Sequence, residues 1–193
     1  MSDFLGIFDE DFIRGNVPMT KREIRILTLN EAKITKKSVV YDIGAGTGSL
    51  STEAALIANL GKVYAIEKNP EGINLIRQNC EKFNVKNVEI LEKIAPDGME
   101  NLPLADSVFI GGSGGKLVEI LNKLREKIKP MGRIVINAIT SENLQTALTF
   151  MRENEDFKYY AFEVSVNKYN RVGDYHLKKA ENPVSIIVCE KLR

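Results

Sequence analysis

The chain has no tryptophan, one histidine and two cysteines among its 193 residues, and only 7% of it is aromatic. Cys80 and Cys189 lie far apart and neither sits in a CxxC or Cys/His cluster. That excludes a disulfide framework or a zinc site as the organising feature, and both thiols are expected to pack as small buried hydrophobes. An excess of one charge is missing too: 27 Lys and Arg stand against 26 Asp and Glu, for a net +1. Proteins that grip nucleic acid through its phosphates carry a global basic excess, so no nucleic-acid partner is expected. No apolar run reaches the roughly 18 residues of a membrane span. Met1-Ser2-Asp3-Phe4 opens acidic rather than basic, unlike a secretory signal. The expectation is a soluble, cytoplasmic protein with no membrane partner and no metal, whose residues 1–193 form a single domain around one core.

What is present is alternation. Ser38 to Ile43 reads as a short buried strand, followed by Gly44-Ala45-Gly46-Thr47-Gly48 and an Ala/Leu-rich helix running to about Gly61. Lys62 to Ile66 is strand-like and ends at Glu67. Asn69-Pro70 then caps and opens a helix with apolar positions Ile73, Ile76, Cys80 and Phe83. Further strands are predicted at Val88–Leu91, Asp106–Ile110 and Arg133–Ala138. Helical stripes lie between and after them, one through Leu117, Ile120, Leu121, Leu124 and Ile128 and one starting at Ser141. Strand and helix in turn imply an α/β fold, a mostly parallel sheet with helices on both faces. Tyr159–Lys168 and Val184–Glu190 break the pattern, and they are expected to pair as an antiparallel terminal hairpin joined by a long loop. At the other end, Thr20-Lys21-Arg22-Glu23 fits a capping box, so residues 1–33 read as a leading segment and helix.

Half of the 14 glycines fall in two short stretches, Gly44 to Gly48 and Gly111-Gly112-Ser113-Gly114-Gly115. Both follow strand C-termini, where open α/β sheets bind ligands, and glycine lets a ligand touch the backbone. Right-handed crossovers make the first and fourth strands neighbours at the switch point, so both loops should face one crevice. A dinucleotide fingerprint would want a glycine at position 49, where the chain has Ser49. Glu67 ends the second strand 19 residues after Gly48, placed to accept both hydroxyls of a ribose. Asp42 reads two ways that do not exclude one another, as a group orienting a ligand amine and as a buried carboxylate fixing the loop.

Asp42-x-Gly44-x-Gly46-x-Gly48 resembles the DxGxGxG signature of class I, Rossmann-like S-adenosylmethionine methyltransferases, whose seven-stranded sheet has five parallel strands and a terminal hairpin. Three further stretches narrow the resemblance: Val17-Pro18-Met19-Thr20-Lys21, Phe109-Ile110 with the GGSGG loop, and Asn182-Pro183-Val184. Together with Tyr64-Ala65-Ile66-Glu67-Lys68-Asn69-Pro70 they are similar to the CbiT-type cobalt-precorrin-6B carbon-15 methyltransferases (decarboxylating) of anaerobic cobalamin biosynthesis. The resemblance runs from about residue 16 to the end. It implies S-adenosylmethionine as cofactor, a tetrapyrrole as small-molecule substrate, and a homo-oligomer, in the extreme a tetramer. It also carries cofactor contacts onto Thr20, Gly44, Ala45, Gly46, Thr47, Gly48, Glu67 and Ala95, and leaves the leading segment to cover the cofactor cleft. Members of that family often place Asp before the Ala-Pro pair after the third strand. Here Lys93-Ile94-Ala95-Pro96 puts an apolar side chain there, leaving adenine to apolar contact and backbone.

Methyl transfer from a sulfonium chiefly requires alignment of donor and nucleophilic carbon, so no catalytic residue is certain from the sequence. An acid-rich planar ring asks for a wide floor and a basic rim. Gly111, Gly112, Ser113, Gly114 and Gly115 are candidates for the floor, and Lys116 for the rim. Two basic clusters could extend the rim: Arg14, Lys21, Arg22 and Arg25 near the start, and Lys168, Arg171, Lys178 and Lys179 near the end. Each reads by itself as a solvated face, and becomes a rim only if the fold brings it to one mouth. Arg171, for bidentate carboxylate pairing, and His176, for proton handling, are the catalytic candidates. Tyr175 is a candidate to stack on the ring. A structural role stands beside each. The apolar residues Phe4, Leu5, Ile7, Phe8 and Phe12 read as an interface or as cover for the cleft. Two other functions stay open at this point, a tRNA methyltransferase and a catalytically silent S-adenosylmethionine-binding regulator.

Overall fold

A computed structural model describes residues 6–192. The alternation predicted from the sequence is realised as α1 (Arg22–Ala32), β1 (Val39–Ile43), α2 (Ser49–Ile57), β2 (Lys62–Glu67), α3 (Pro70–Lys82), β3 (Val88–Glu92), β4 (Ala105–Ile110), α4 (Leu117–Lys127), β5 (Ile128–Ala138) and α5 (Ser141–Glu153), followed by β6 (Phe157–Val164), β7 (Asn167–Val172), β8 (Tyr175–Ala180) and β9 (Val184–Lys191). A seven-stranded sheet runs β3-β2-β1-β4-β5-β9-β6. Strands β1 to β5 are parallel to one another, while β9 pairs antiparallel with both β5 and β6. Strand order reverses between β1 and β4, as the crossover rule requires.

Side-chain alternation along the central strands separates two layers of core. Tyr41, Ile43, Val108, Ile110, Ile134 and Ile136 pack with Leu117, Ile120, Leu121 and Leu124 of α4 and Phe150 and Met151 of α5. Val40, Phe109 and Val135 point the other way, onto Ile24 and Leu29 of α1 and Leu50, Ala54 and Ala55 of α2. The hydroxyl of Tyr41 donates to the Pro103 carbonyl, so the ring stays buried with its polar tip satisfied.

Several local expectations change. The segment between β6 and β9 is not a loop. Its residues form the two-stranded antiparallel ribbon β7–β8, with Lys168 in β7 rather than in β6. The leading helix has Lys21 at its N-cap with no side-chain cap, and Thr20 takes no capping role. Asp9 supplies the missing acceptor from 13 residues upstream, its Oδ1 taking the Arg22 N–H at 3.0 Å. Elsewhere the caps follow the sequence: Asn69 accepts from the Glu71 N–H, with Pro70 opening α3. The α4 stripe ends at Leu124, and Ile128 already belongs to β5. Cys189 is fully buried and burial pushes its thiol pKa up to about 12, whereas Cys80 is only half-buried.

Arg25 lies at the junction of the two ends of the leading segment. The sequence groups it with a cationic cluster that reads as a solvated face, yet its side chain is wholly buried. Its Nη1 reaches Asp9 Oδ1 at 2.7 Å and the Thr20 carbonyl at 2.6 Å, its Nε reaches Glu53 Oε1 at 2.7 Å, and its Nη2 meets the Ile7 carbonyl at 2.5 Å. The second Glu53 oxygen accepts the Gly6 N–H at 2.9 Å, and the guanidinium lies 4.7 Å from the centre of the Phe12 ring. Residues 6–20 are thereby strapped to α1 and α2. Of the leading apolar residues, Phe12 packs on Phe83, Phe8 is exposed beneath Arg22, and Phe4 and Leu5 lie outside the described residues. Removing one partner of a buried ion cluster leaves the others uncompensated, typically at a cost of about 3–5 kcal/mol. Arg25→Ala is therefore expected to lower the unfolding free energy by that order in urea titrations, and to open residues 6–20 to proteolysis before the rest of the chain unfolds.

Candidate active site

A cavity of about 550 Å³ opens above the C-terminal ends of β1, β2, β4 and β5. Its floor is made where the two glycine loops meet. Gly44 has φ +69°, and a Cβ there would stand 2.5 Å from the Gly112 carbonyl oxygen and 2.7 Å from its nitrogen. Only a residue without a side chain permits this backbone contact, which fixes the β1 loop against the β4 loop. The expectation that both loops face one crevice holds: Gly44, Ala45, Gly46, Gly111, Gly112, Ser113 and Gly114 all line the cavity.

Glu67 closes one wall. It is nearly buried, and its carboxylate accepts three backbone N–H groups: Gly46 at 2.8 Å on Oε2, and Lys68 at 2.9 Å and Asn69 at 2.8 Å on Oε1. The carboxylate thus shapes the glycine loop while lining the cavity, with one in-plane acceptor site left on Oε2. The loop's own amides are consumed internally. Gly44 and Ala45 donate to the Ile66 carbonyl and Gly48 to that of Ala45. A pyrophosphate would find few free donors here, which suits a nucleoside ligand without one.

The strap supplies the opposite wall through Val17, Pro18, Met19, Thr20 and Lys21, with Ile24 of α1 behind them. Asn79 on α3 joins strap to loop: its Nδ2 donates to the Thr47 carbonyl at 2.9 Å and the Ile13 carbonyl at 3.1 Å, and its Oδ1 accepts the Ile13 N–H at 2.8 Å. Glu71 adds a second clip, accepting the Asn16 N–H at 2.6 Å. Ile94 and Ala95 after β3 complete the lining on the Glu67 side.

Other predicted residues fall elsewhere. Asp42, Thr47 and Gly48 stand behind the lining rather than in it, and so do Gly115 and Lys116. Arg171, Tyr175 and His176 are exposed on the β7–β8 ribbon, where Arg171 and His176 are cross-strand partners, and none of the three reaches the cavity. The two basic clusters do not form a mouth either. Arg25 is buried in its ion cluster, and Lys168 pairs with Glu23 at 3.4 Å. The cations that do line the cavity are Lys21, Lys68 and Lys93. Sequence reasoning missed Asn79, although a polar residue three positions after Ile76 on a buried helical stripe was a usable signal. It also missed Asn137, which lines the cavity from the penultimate position of β5, at the ligand-binding edge of the sheet.

Asp42 points to the α2 face and meets Ser51 Oγ at 2.5 Å. Of its two readings, the structure realises the buried carboxylate at the base of the loop. Burial raises its pKa to about 6, Ser51 hydrogen bonding pulls it down, and the nearby Glu67 charge raises it again. From about pH 4 to 6 the folded chain holds this proton while the unfolded chain has lost it, so stability falls as pH rises through that window. Two pKa units correspond to roughly 3 kcal/mol. Unfolding titrations at pH 4 and pH 8 are expected to show Asp42→Asn gaining on the wild type by up to that order at the higher pH; a difference independent of pH would contradict it.

Comparison with known proteins agrees with this geometry. Residues 11–191 match a family model described as a precorrin methyltransferase domain. The chain is 42% identical over 189 residues to a Sulfolobus acidocaldarius protein named probable cobalt-precorrin-6B C(15)-methyltransferase (decarboxylating), covering 96% of this chain and 97% of that one. It is 39% identical over 184 residues, 95% of each chain, to the Salmonella typhimurium cobalt-precorrin-6B C(15)-methyltransferase (decarboxylating). The crystal structure of a precorrin-6Y C5,15-methyltransferase from Geobacter metallireducens superposes with a TM-score of 0.91 at 37% identity, covering 97% of both chains. The likeness extends over nearly every element that builds the cavity, and the chain belongs to the precorrin methyltransferase family.

Proposed function

We propose that the protein transfers a methyl group from S-adenosylmethionine to carbon 15 of cobalt-precorrin-6B, with loss of carbon dioxide from an acetate side chain. The observation that carries this reading is the single cavity where a nucleoside wall, Glu67 with Ile94 and Ala95, meets a glycine platform, Gly111 to Gly114. When bound, S-adenosylmethionine supplies an electrophilic methyl carbon on a sulfonium.

The chain's own residues position the partners. Glu67 accepts the ribose hydroxyls, Ile94 and Ala95 hold adenine by apolar contact, and Thr20 with the Gly44–Gly46 backbone encloses the methionine end. Negative charge from Glu67 at the wall and Asp42 behind it suits a cationic ligand. The chain need supply no general base for methyl transfer, because the attacking meso carbon would use its own electron pair. As carbon dioxide leaves, the pair of its broken carbon–carbon bond would pass into the ring, and a proton from solvent would complete the methyl group left from the acetate. A cavity of about 550 Å³ is in the ordinary range for one cofactor-sized ligand. The tetrapyrrole therefore presents only its reacting edge, and its outer carboxylates fall to Lys21, Lys68 and Lys93 at the mouth rather than to Lys116 or the ribbon.

The exposed ribbon supports the homo-oligomer. Tyr169, Val172, Tyr175 and Leu177 are all more than half exposed on a two-stranded element, which is marginal by itself in water. Burial against further copies gives these side chains, with Arg171 and His176 between them, a place; light scattering at the mass of a 21.6 kDa monomer would exclude it. The tRNA and silent-regulator readings lose ground together, the first because no aromatic side chain lines the cavity among the described residues and the second to the intact platform beside the cofactor wall.

Incubation of cobalt-precorrin-6B with the protein and S-adenosylmethionine is expected to yield a corrinoid that has gained one methyl and lost one carbon dioxide by mass spectrometry; an unchanged corrinoid alongside bound cofactor would refute the activity. Glu67→Ala is expected to weaken S-adenosylhomocysteine binding by about 1.5–3 kcal/mol, the range for hydrogen bonds to a charged group. Calorimetry with unchanged affinity would remove Glu67 from the site.

A further inference from the structure

One large apolar side chain in the cavity wall is left uncovered by the rest of the fold. Ile139 is 73% exposed, more than any other large apolar side chain outside the β7–β8 ribbon among the described residues, and it belongs to neither layer of the core. Local structure does not call for an isoleucine there. β5 ends at Ala138, and α5 is capped by Thr140, whose Oγ1 accepts the Asn143 N–H at 3.3 Å. Position 139 is the one residue between strand and cap, an exposed turn position where packing asks for no apolar side chain. A single exposed apolar residue means little by itself. Leu60 and Met131 are 70% and 60% exposed, but Leu60 precedes β2 and Met131 lies near the start of β5, on the edge of the sheet away from the crevice. Ile139 instead lines the cavity, at the edge where open α/β sheets bind ligands.

Location narrows the ligand. The proposed nucleoside wall comes from β2 and the segment after β3, on one flank of β1, whereas β5 lies on the other flank, beyond β4. Ile136 pairs with Ile110, the residue before the GGSGG platform, so the chain at Ile139 stands beside the platform. Ala138 pairs with Ser185 across β5–β9, so Ile139 leaves its strand beside Val184, and Val166 at the base of the ribbon lines the same wall. Charge is distributed the other way. The cavity-lining lysines come from the strap and from the ends of β2 and β3, while the one charged residue lining the β5–β9 flank is Glu181. A large ring with acidic side chains is drawn by its acids toward the lysines and repelled at Glu181, which leaves the apolar wall to an uncharged part of the ring.

We propose that Ile139 is a specificity-determining residue whose side chain lies against an uncharged face of the tetrapyrrole beside the glycine platform and, with the lysines opposite, sets which edge of the ring reaches the methyl donor. This rests on the methyltransferase reading above. A β-branched side chain is stiff at χ1, so it offers the ring a fixed surface where a long flexible one would give way. Covering it takes out of water an apolar area that the folded chain otherwise leaves exposed, and that gain is available to a ring and not to a small polar ligand.

The test compares wild type, Ile139→Leu, Ile139→Ala and Ile139→Asp, with Leu60→Ala as a surface control, using cobalt-precorrin-6B as substrate and S-adenosylhomocysteine as the cofactor probe. Because Ile139 lies outside the core, the variants are expected to fold as the wild type does. Ile139→Ala is expected to raise the corrinoid KM about tenfold, near the low end for burying an isoleucine side chain, with S-adenosylhomocysteine affinity unchanged. Ile139→Leu keeps the apolar area and should recover most of that loss. Ile139→Asp should be worse than Ile139→Ala, because a carboxylate would then face an acid-rich ring. Leu60→Ala should move neither constant. An unchanged corrinoid KM in Ile139→Ala would overturn the assignment, as would an equal loss of S-adenosylhomocysteine affinity or an Asp variant that outperforms Ala. A smaller particle by light scattering in Ile139→Asp would place the side chain between copies of the chain and overturn it as well. A wild type that binds the corrinoid without methylating it would overturn the activity alone, and the corrinoid Kd across the same variants would then decide for or against Ile139. A wild type that does not bind it would overturn both.

Discussion

A guanidinium shut away from water has to be neutralised and its donors satisfied, and at Arg25 that requirement organises the whole leading segment. Glu53 comes from α2, Asp9 from a short helical turn within the strap, and the carbonyls of Ile7 and Thr20 from near the two ends of the strap itself. None of these groups can leave without stranding charge in a dry interior. The segment that closes the cavity is therefore held by polar accounting rather than by apolar area. Asp9 extends the same cluster to the first turn of α1, where it replaces the local cap that the helix lacks.

From that fixed wall the site is assembled by backbone contacts. Gly44 against Gly112 makes one body of the loop that follows β1 and the loop that follows β4. Glu67 ties the same loop to the start of α3, and Asn79 ties it to the strap. The cavity walls that the proposed function gives to the nucleoside and to the tetrapyrrole are thus rigidly related, as an in-line displacement demands of its two partners. Lysines at the rim need no such rigidity, since carboxylates on a solvated edge tolerate a flexible point charge.

The parallel sheet, its switch point and the glycine crevice were legible because each has a local cause: β-branched runs, helical stripes, and glycines concentrated at strand ends. The cavity-lining residues Gly44 to Gly46, Glu67 and Gly111 to Gly114 follow from the same signals, while Thr20 and Ala95, which also line it, follow only from the family resemblance. What stayed hidden depends on partners distant in sequence. Arg25 resembles its neighbours Lys21 and Arg22 in sequence, and only Glu53 and Asp9 distinguish it. Thr20 and Glu23 satisfy a capping pattern, but the carboxylate of Asp9 arrives first, and Glu23 turns to Lys168. The ribbon is not legible as strands because Asn167 to Ala180 carries polar residues on both faces. The alternation that marks a half-buried strand is missing where nothing within the monomer covers it.

The position of β9 between β5 and β6 bears on how the chain is made. Every other strand precedes β9 in the sequence, yet β9 is interior to the sheet, with hydrogen-bonding neighbours on both sides. While the polypeptide emerges from the ribosome, β1 to β5 can pair and the strap can dock on α1 and α2. The edge of β5 and all of β6 must wait, their N–H and C=O groups open to any extended partner. A nascent chain stalled shortly before Val184 would carry a nearly complete ligand crevice beside two unsatisfied sheet edges. Synthesis of the last strand is then the step that separates a binding-competent intermediate from an aggregation-resistant protein.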